Sequence, residues 1–275
     1  MAVNWNLQAV EILEKLGCAG SGGQEFLEKF QRENGGKLPR QLFGFLRAAW
    51  NCPLFCTADI WTRDGKAAPS LHFFYEEIDE MIECDREYWE ESPEECADND
   101  YYQMSQIPRE DWGTRVPDYL LIGSDYGAGV VTFGIRADSL DSDDPPVYMQ
   151  HEADPITLWT LYSGSVSDFV MQVLCDVLSC SEYHTAQEVL TEAGWTFQEF
   201  RTSRRGLREC GTPEEGRTLL QERGIDLFDA KKYRSTYGSD AYIRCGWEEE
   251  TRTLYIAKED LGNPERGTLT VFSKP

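Results

Sequence analysis

Apolar residues recur along this chain with two different periods, and the periods change in a definite order. Leu7, Val10, Leu13 and Leu16 fall three residues apart, the spacing of one helix face, and predict a first amphipathic helix. Gly17 to Gly23 reads as a glycine-rich linker. A second helix is expected over 24–34, with Phe26, Leu27 and Phe30 as its apolar face and Asn34-Gly35-Gly36 as its stop. Leu38-Pro39 opens a third, with proline in the first turn, where a missing N–H is harmless. Leu42, Phe43, Phe45, Leu46, Ala49 and Trp50 make that helix apolar enough to lie against a core.

Strand-like segments then take over. Leu71 to Tyr75 is rich in aromatics, Tyr119 to Ile122 is a short apolar run, and Val131, Phe133 and Ile135 alternate within 130–135. Gly123, Gly127 and Gly129 lie between the last two, as a hairpin requires. Val147 to Gln150 reads as a further strand after Pro145-Pro146. A helix over 166–178 follows, started by Ser165 and Asp168 as a capping pair, with Phe169, Val170, Val173, Leu174 and Val177 as its buried stripe. In the tail, Thr212, Pro213 and Glu215 start a helix that Gly224 stops, and 241–247, 253–257 and 268–272 read as three strands. Helices, then strands in hairpin succession, then a helix make an α+β pattern and not an alternating nucleotide-binding one. The expected architecture is a single mixed or mostly antiparallel sheet flanked by helices, with a small α/β C-terminal extension.

Charge changes this picture in one respect. The 275 residues are 41% hydrophobic, enough for one large domain or two small ones, and carry a net charge of −23. Residues 201–275 hold fourteen Lys/Arg against thirteen Asp/Glu, so all the net acidity lies before residue 201. The expected units are therefore 1–23 (helix and linker), 24–200, and 201–275, with the last boundary near Arg201–Arg208. A chain this acidic is not a general nucleic-acid binder, which needs cations to displace counterions from phosphates. It is equally unsuited to an anionic membrane surface, and it favours a basic partner with fast, salt-sensitive association.

No apolar run is long enough to span a bilayer, and Met1 to Gly17 has neither a cationic start nor a cleavage site after an apolar stretch. The expected location is the cytoplasm. Nine cysteines at irregular spacing then read as reduced thiols, mostly small core residues. Cys52 and Cys56 form a CxxxC with no matching Cys or His pair, so no zinc is expected.

The densest local signal is 76–100, with thirteen Asp/Glu against one Arg. Such density repels itself and is not favoured by stability alone. The candidate binding residues here are Glu87, Tyr88, Trp89, Glu90, Glu91, Glu94, Glu95, Tyr101 and Tyr102. Their aromatics would be anchors and their acids would steer, the division of labour found at protein interfaces. The competing reading is a solvated helix face or a disordered loop. A second acidic patch is Asp138, Asp141, Asp143 and Asp144, next to His151 and Glu152; Asp143, Asp144, His151 and Glu152 complete the candidate set. The spacing of the four aspartates does not fit an EF-hand loop, so no calcium is expected. Glu76 and Glu77 could act as acid and base, but adjacent acids arise easily in so acidic a chain. His72, His151 and His184 lie near no nucleophile motif, GxSxG is absent, and Gly127 and Gly129 supply only half of a phosphate-binding fingerprint. No cofactor and no catalytic residue are expected.

Several segments together resemble the SUKH (Smi1/Knr4-like) superfamily. They are Leu38-Pro39 before an apolar-aromatic helix, Ile122-Gly123-Ser124-Asp125-Tyr126-Gly127-Ala128-Gly129-Val130-Val131-Thr132-Phe133, Pro146-Val147-Tyr148-Met149-Gln150-His151-Glu152, and 163–178 with Phe169 at the aromatic position. The resemblance covers roughly 24–180. It leaves 201–275 without a counterpart, and the stretch between Phe74 and Pro117 is longer and more acidic than the family pattern. It implies an α+β fold with one mixed sheet and no catalytic set. It also implies a non-enzymatic protein-binding role, as in bacterial immunity proteins that block a cognate toxin. A basic, nuclease-type toxin would suit the acidic surface. A SUKH-like regulatory scaffold with a cellular partner and no toxin is the alternative.

Overall fold

The computed structural model describes residues 3–5, 7–20, 22–55, 62–63, 66–67, 71–125, 130–179, 185–201, 213–224, 231–234, 240–260 and 268–275. Cys56, the expected turn residues Gly127 and Gly129, His184, the arginines of 204–208 and Thr212 lie outside these residues. The chain opens with helices α1 (Ala9–Leu16), α2 (Gln24–Glu33) and α3 (Arg40–Ala49), then the short hairpin of β1 (Thr62–Arg63) and β2 (Lys66–Ala67). Next come β3 (His72–Phe73), α4 (Phe74–Glu91), α5 (Asp100–Ser105), β4 (Tyr119–Asp125), β5 (Val131–Arg136), β6 (Val147–His151) and β7 (Thr160–Ser163). The remainder is α6 (Val166–Ser179), α7 (Thr185–Glu192), β8 (Thr196–Arg201), α8 (Pro213–Glu222), β9 (Lys231–Arg234), β10 (Asp240–Glu248), β11 (Thr253–Asp260) and β12 (Thr268–Ser273).

The fold is α+β, with two five-stranded antiparallel sheets in place of one sheet and a small extension. The first has the order β3-β4-β5-β6-β7, a meander whose register pairs Tyr119 with Arg136 and Phe133 with Met149. The second has the order β8-β12-β11-β10-β9. Its edge strand β8 ends at Arg201, where the charge changes, and pairs with β12 at the far end of the chain, Phe197 opposite Phe272. The charge break therefore falls at the end of a strand that belongs with the tail.

Both sheets share one core. Alternation along β4 and β5 sends Leu120, Ile122, Phe133 and Ile135 inward, where they meet α1, α3 and α6. The second sheet adds Ile243, Cys245, Trp247, Leu254, Ile256 and Phe272 to the same cluster. Helix α6 is the element between them. Phe169 packs on Phe133 and Tyr162 at ring distances of 5.1 and 6.0 Å, and Asp176 forms an ion pair with Lys258 of β11 at 2.7 Å. The expected capping residue does start α6, since Ser165 Oγ accepts from the Asp168 N–H at 3.1 Å.

Several expectations need correction. Only His72 and Phe73 of 71–75 are strand; Phe74 begins an 18-residue helix, because Phe74, Ile78 and Ile82 repeat at helical spacing and the helix has a sheet to dock on. Pro39 is the N-cap of α3 and not its first turn. Phe26 is 39% exposed although it touches the Trp50 ring, so the buried face of α2 is Leu27 and Phe30. Strands β7, β8 and β9 and helix α7 had no clear sequence signal.

Within 17–23, Gly20 and Gly23 answer to packing and not only to flexibility. The Gly20 N–H donates to the Ala48 carbonyl at 2.6 Å, and a Cβ on Gly20 would overlap the Trp50 carbonyl oxygen. Gly23 has φ +68 and lies directly against the Trp50 ring. Gly20→Ala is expected to cost about 1–3 kcal/mol through overpacking against backbone that cannot move aside. Urea denaturation would read this as a lower midpoint at unchanged slope, and an unchanged midpoint would show that the segment can shift freely.

Candidate functional site

Up to Glu91 the acidic run folds as an amphipathic helix, α4, seated on the outer face of the first sheet. Phe74 and Ile78 of α4 join Met104, Trp112, Val116, Tyr119, Leu121 and Ile156 in a second core, separate from the main one. The N-terminus of α4 is held by Asp118. Its Oδ1 accepts from the Tyr75 N–H at 3.0 Å and from the Tyr119 N–H at 2.9 Å, while the Tyr75 hydroxyl donates to the Val116 carbonyl at 2.7 Å. Burial raises the Asp118 carboxyl above its usual range, and the two N–H donors offset this only in part. Within the same run, the Phe73 N–H donates to Glu76 Oε2 at 3.0 Å.

The segment after α5 clamps the helix from the side. Arg109 pairs with Asp79 at 2.8 Å and lies 5.7 Å from the Trp112 ring centroid. The Trp112 indole N–H donates to the carbonyls of Met104 and Ile107, each at 3.2 Å. Asn99 caps α5 by accepting from the Tyr102 N–H at 3.0 Å, and Asp100 Oδ2 accepts from the Ile156 N–H at 2.9 Å. The N-terminus of α5 is thus tied to the chain between β6 and β7.

With one face pinned down, the other carries the charge. Glu80, Glu83, Glu87, Glu90 and Glu91 of α4 are exposed, as are Glu94 and Glu95 in the turn that follows the helix. No ion pair or hydrogen bond from these carboxylates occurs among the described residues, whereas Glu77 and Asp79 meet His72 and Arg109. Of the aromatics expected here, Tyr88 is the one facing solvent, 55% exposed. Trp89 is a correction: it is only 5% exposed and stands edge-on to Tyr102 at 5.8 Å. It holds α4 to α5 and is not a free anchor. Tyr102 is half-buried beside it. Between the two helices runs an open groove of about 450 Å³, lined by Ile82, Arg86, Trp89, Glu90, Pro93 and Tyr102 among others.

The structure joins part of the second candidate patch to this face. Tyr101 is half-buried, and its phenol is pushed up to about 12 by burial and then by the nearby carboxylates of Glu77, Asp100 and Glu152. Glu152 is exposed, its N–H donating to the Val130 carbonyl at 2.9 Å; His151 is half-buried, and its carbonyl accepts from the Gln150 side chain and the Asp154 N–H. Asp143 and Asp144 belong elsewhere. Asp144 Oδ1 accepts from the Ser167 N–H at 2.8 Å, in the first turn of α6, and the Asp143 carbonyl accepts from Gln41 of α3 at 3.1 Å. They serve the helices on the inner face of the sheet. Asp138 pairs with Arg136, and Asp141 with Lys37 at 3.4 Å. Among the described residues no three His, Cys, Asp or Glu side chains are grouped to hold a metal, and no helix is long and apolar enough to cross a membrane.

Asp118, Arg109 and Trp112 position the acidic face, and nothing in the sequence marked them. Each acts on a residue more than twenty positions away or through a single indole N–H, and neither leaves a periodic signature. No protein-family model, curated protein or solved structure matches the chain.

Proposed function

We propose that this chain is a non-enzymatic protein-binding module that recruits a basic partner onto the exposed face of α4. The observation that carries the reading is a row of exposed glutamates on a docked helix, with Arg86 as the one cation of the run and no ion pair from these carboxylates among the described residues. An isolated charged helix would fray or bend away from its own repulsion; here Asp118, Arg109 and the apolar contacts of Phe74, Ile78 and Trp89 hold the carboxylates in place. Fixed like charges create a field that raises encounter rates with a cationic surface. Tyr88 supplies an exposed ring within that field. The resemblance to SUKH immunity proteins makes a toxin domain, blocked in the cytoplasm, the partner class this reading favours. Carboxylates can stand where a basic nuclease expects phosphates.

Reversing Glu87, Glu90, Glu91, Glu94 and Glu95 to lysine is expected to slow association with the co-purified partner by about tenfold or more at low salt. The effect should shrink as salt shortens the screening length to about 8 Å at physiological ionic strength. Dissociation should change less, because rim charges act mainly on encounter. Stopped-flow rates at two salt concentrations measure this. Equal rates for the variant and the parent would reduce the glutamates to a solvated surface.

A further inference from the structure

The joint between α6 and the second sheet holds two cysteines that the binding role does not use. Cys175 of α6 is fully buried and Cys245 of β10 is 5% exposed, and their sulfurs lie 3.1 Å apart. A disulfide bond is about 2.05 Å long, so closure requires roughly 1 Å of approach between two groups already aimed at each other. Both carriers are firmly held. Cys175 sits within the apolar stripe of α6, between Leu174 and the ion pair of Asp176 with Lys258 on the neighbouring strand. Cys245 is paired in register with Ile256 near the middle of the β10–β11 ladder. The thiols are also free of any metal-type grouping with other His, Cys, Asp or Glu side chains among the described residues.

We infer that Cys175 and Cys245 are a dithiol–disulfide pair, closed by a peroxide as two-electron oxidant and reopened by a thiol reductant. One thiolate attacks the peroxide oxygen, giving a sulfenic acid and one water. The second sulfur displaces the hydroxyl of that sulfenic acid as another water, forming the S–S bond. The two thiol hydrogens and two electrons leave the protein, and hydrogen peroxide is reduced to two waters. The contact with Cys245, and then burial, hold the Cys175 thiol well above its ordinary pKa, so the reaction is slow beside that of an exposed thiol. The consequence is mechanical. The bond would close a separation of 70 residues and fasten the helix that floors the first sheet to the second sheet. A backbone cut anywhere between the two cysteines would then leave the pieces joined.

The test uses the reduced full-length protein, treated with hydrogen peroxide under native conditions, denatured in N-ethylmaleimide and mapped by mass spectrometry without reduction. The expected result is a cross-link between the Cys175 and Cys245 peptides that dithiothreitol removes. The thermal midpoint of the oxidised protein should rise by about 5–10 °C, as expected for a long loop closed in the unfolded chain. Cys245→Ser should lose that rise. Should this variant fail to fold, the peptide map of the parent protein decides alone. Recovery of both cysteines as maleimide adducts after exposed Cys84 has been oxidised would overturn the inference, as would cross-links scattered over other cysteines.

Discussion

Trp89→Ala should destabilise the protein by about 3–5 kcal/mol, the range for removing a large buried ring without collapse of the space it leaves. Trp89 is 5% exposed and faces Tyr102, so its loss removes the main contact between the C-terminal half of α4 and α5. The rest of that half is nearly all charged, which leaves nothing else to hold it down. Chemical denaturation followed by far-UV circular dichroism gives the stability change, and hydrogen exchange should show the last turns of α4 opening first. A loss below about 1 kcal/mol would mean that the ring is free in solution and available to a partner. Tyr88→Ala is the companion measurement. Its ring is exposed, so the substitution should leave stability nearly unchanged while speeding dissociation of a bound partner.

Arg223→Met should cost about 3 kcal/mol, the lower end of the range for breaking a buried ion pair from one side. Its partner Glu248 has a side chain only 1% exposed, 2.7 Å from the guanidinium. Thr251 and Tyr255 also donate to this carboxylate, at 2.7 and 3.0 Å, so removing the arginine leaves it hydrogen-bonded but uncompensated. Burial pushes the Glu248 carboxyl up, but the hydrogen bonds from Thr251 and Tyr255 and the Arg223 charge outweigh it. Its pKa therefore lies below the usual glutamate value of 4.5. A depressed folded pKa stabilises the native state at pH values above 4.5. That contribution is lost as the pH falls through the lower folded value. The parent should therefore weaken on acidification below about pH 4.5, and Arg223→Met should show a shallower dependence there. Parallel curves for the two proteins would mean that the pair does not hold α8 to the second sheet.

The helices α1, α2, α3, α6 and α8 were legible because each carries its own information. Leu13 and Leu16, or Phe169, Val173 and Leu174, repeat at the helical period, and Ser165 marks a start within a few residues of the stripe it begins. The strands β4, β5 and β6 were legible over 119–122, 130–135 and 147–150, since short apolar runs and alternation are local; Gly123, expected in the turn, instead lies within β4 opposite Phe133, after a bulge. The exposed glutamates of 87–95 were legible as a surface feature, because so many carboxylates cannot be buried together. The sequence by itself therefore determined the α+β class, the main amphipathic elements and the place of the negative charge.

Tertiary structure alone decided how these parts meet. Where the helix over 74–91 is anchored on the first sheet depended on Asp118, more than forty positions from the Tyr75 N–H from which it accepts. Whether Trp89 faces a partner or the core depended on Tyr102 arriving on a second helix. Whether the tail is an appendage or half of the fold depended on β8 pairing with β12 and on α6 carrying apolar side chains to both sheets. These outcomes rest on contacts between distant residues, whose stability comes from burial after the chain has closed on itself. No periodicity records them, because a side chain's own neighbours along the sequence are the same whether its partner comes from across the sheet or from solvent.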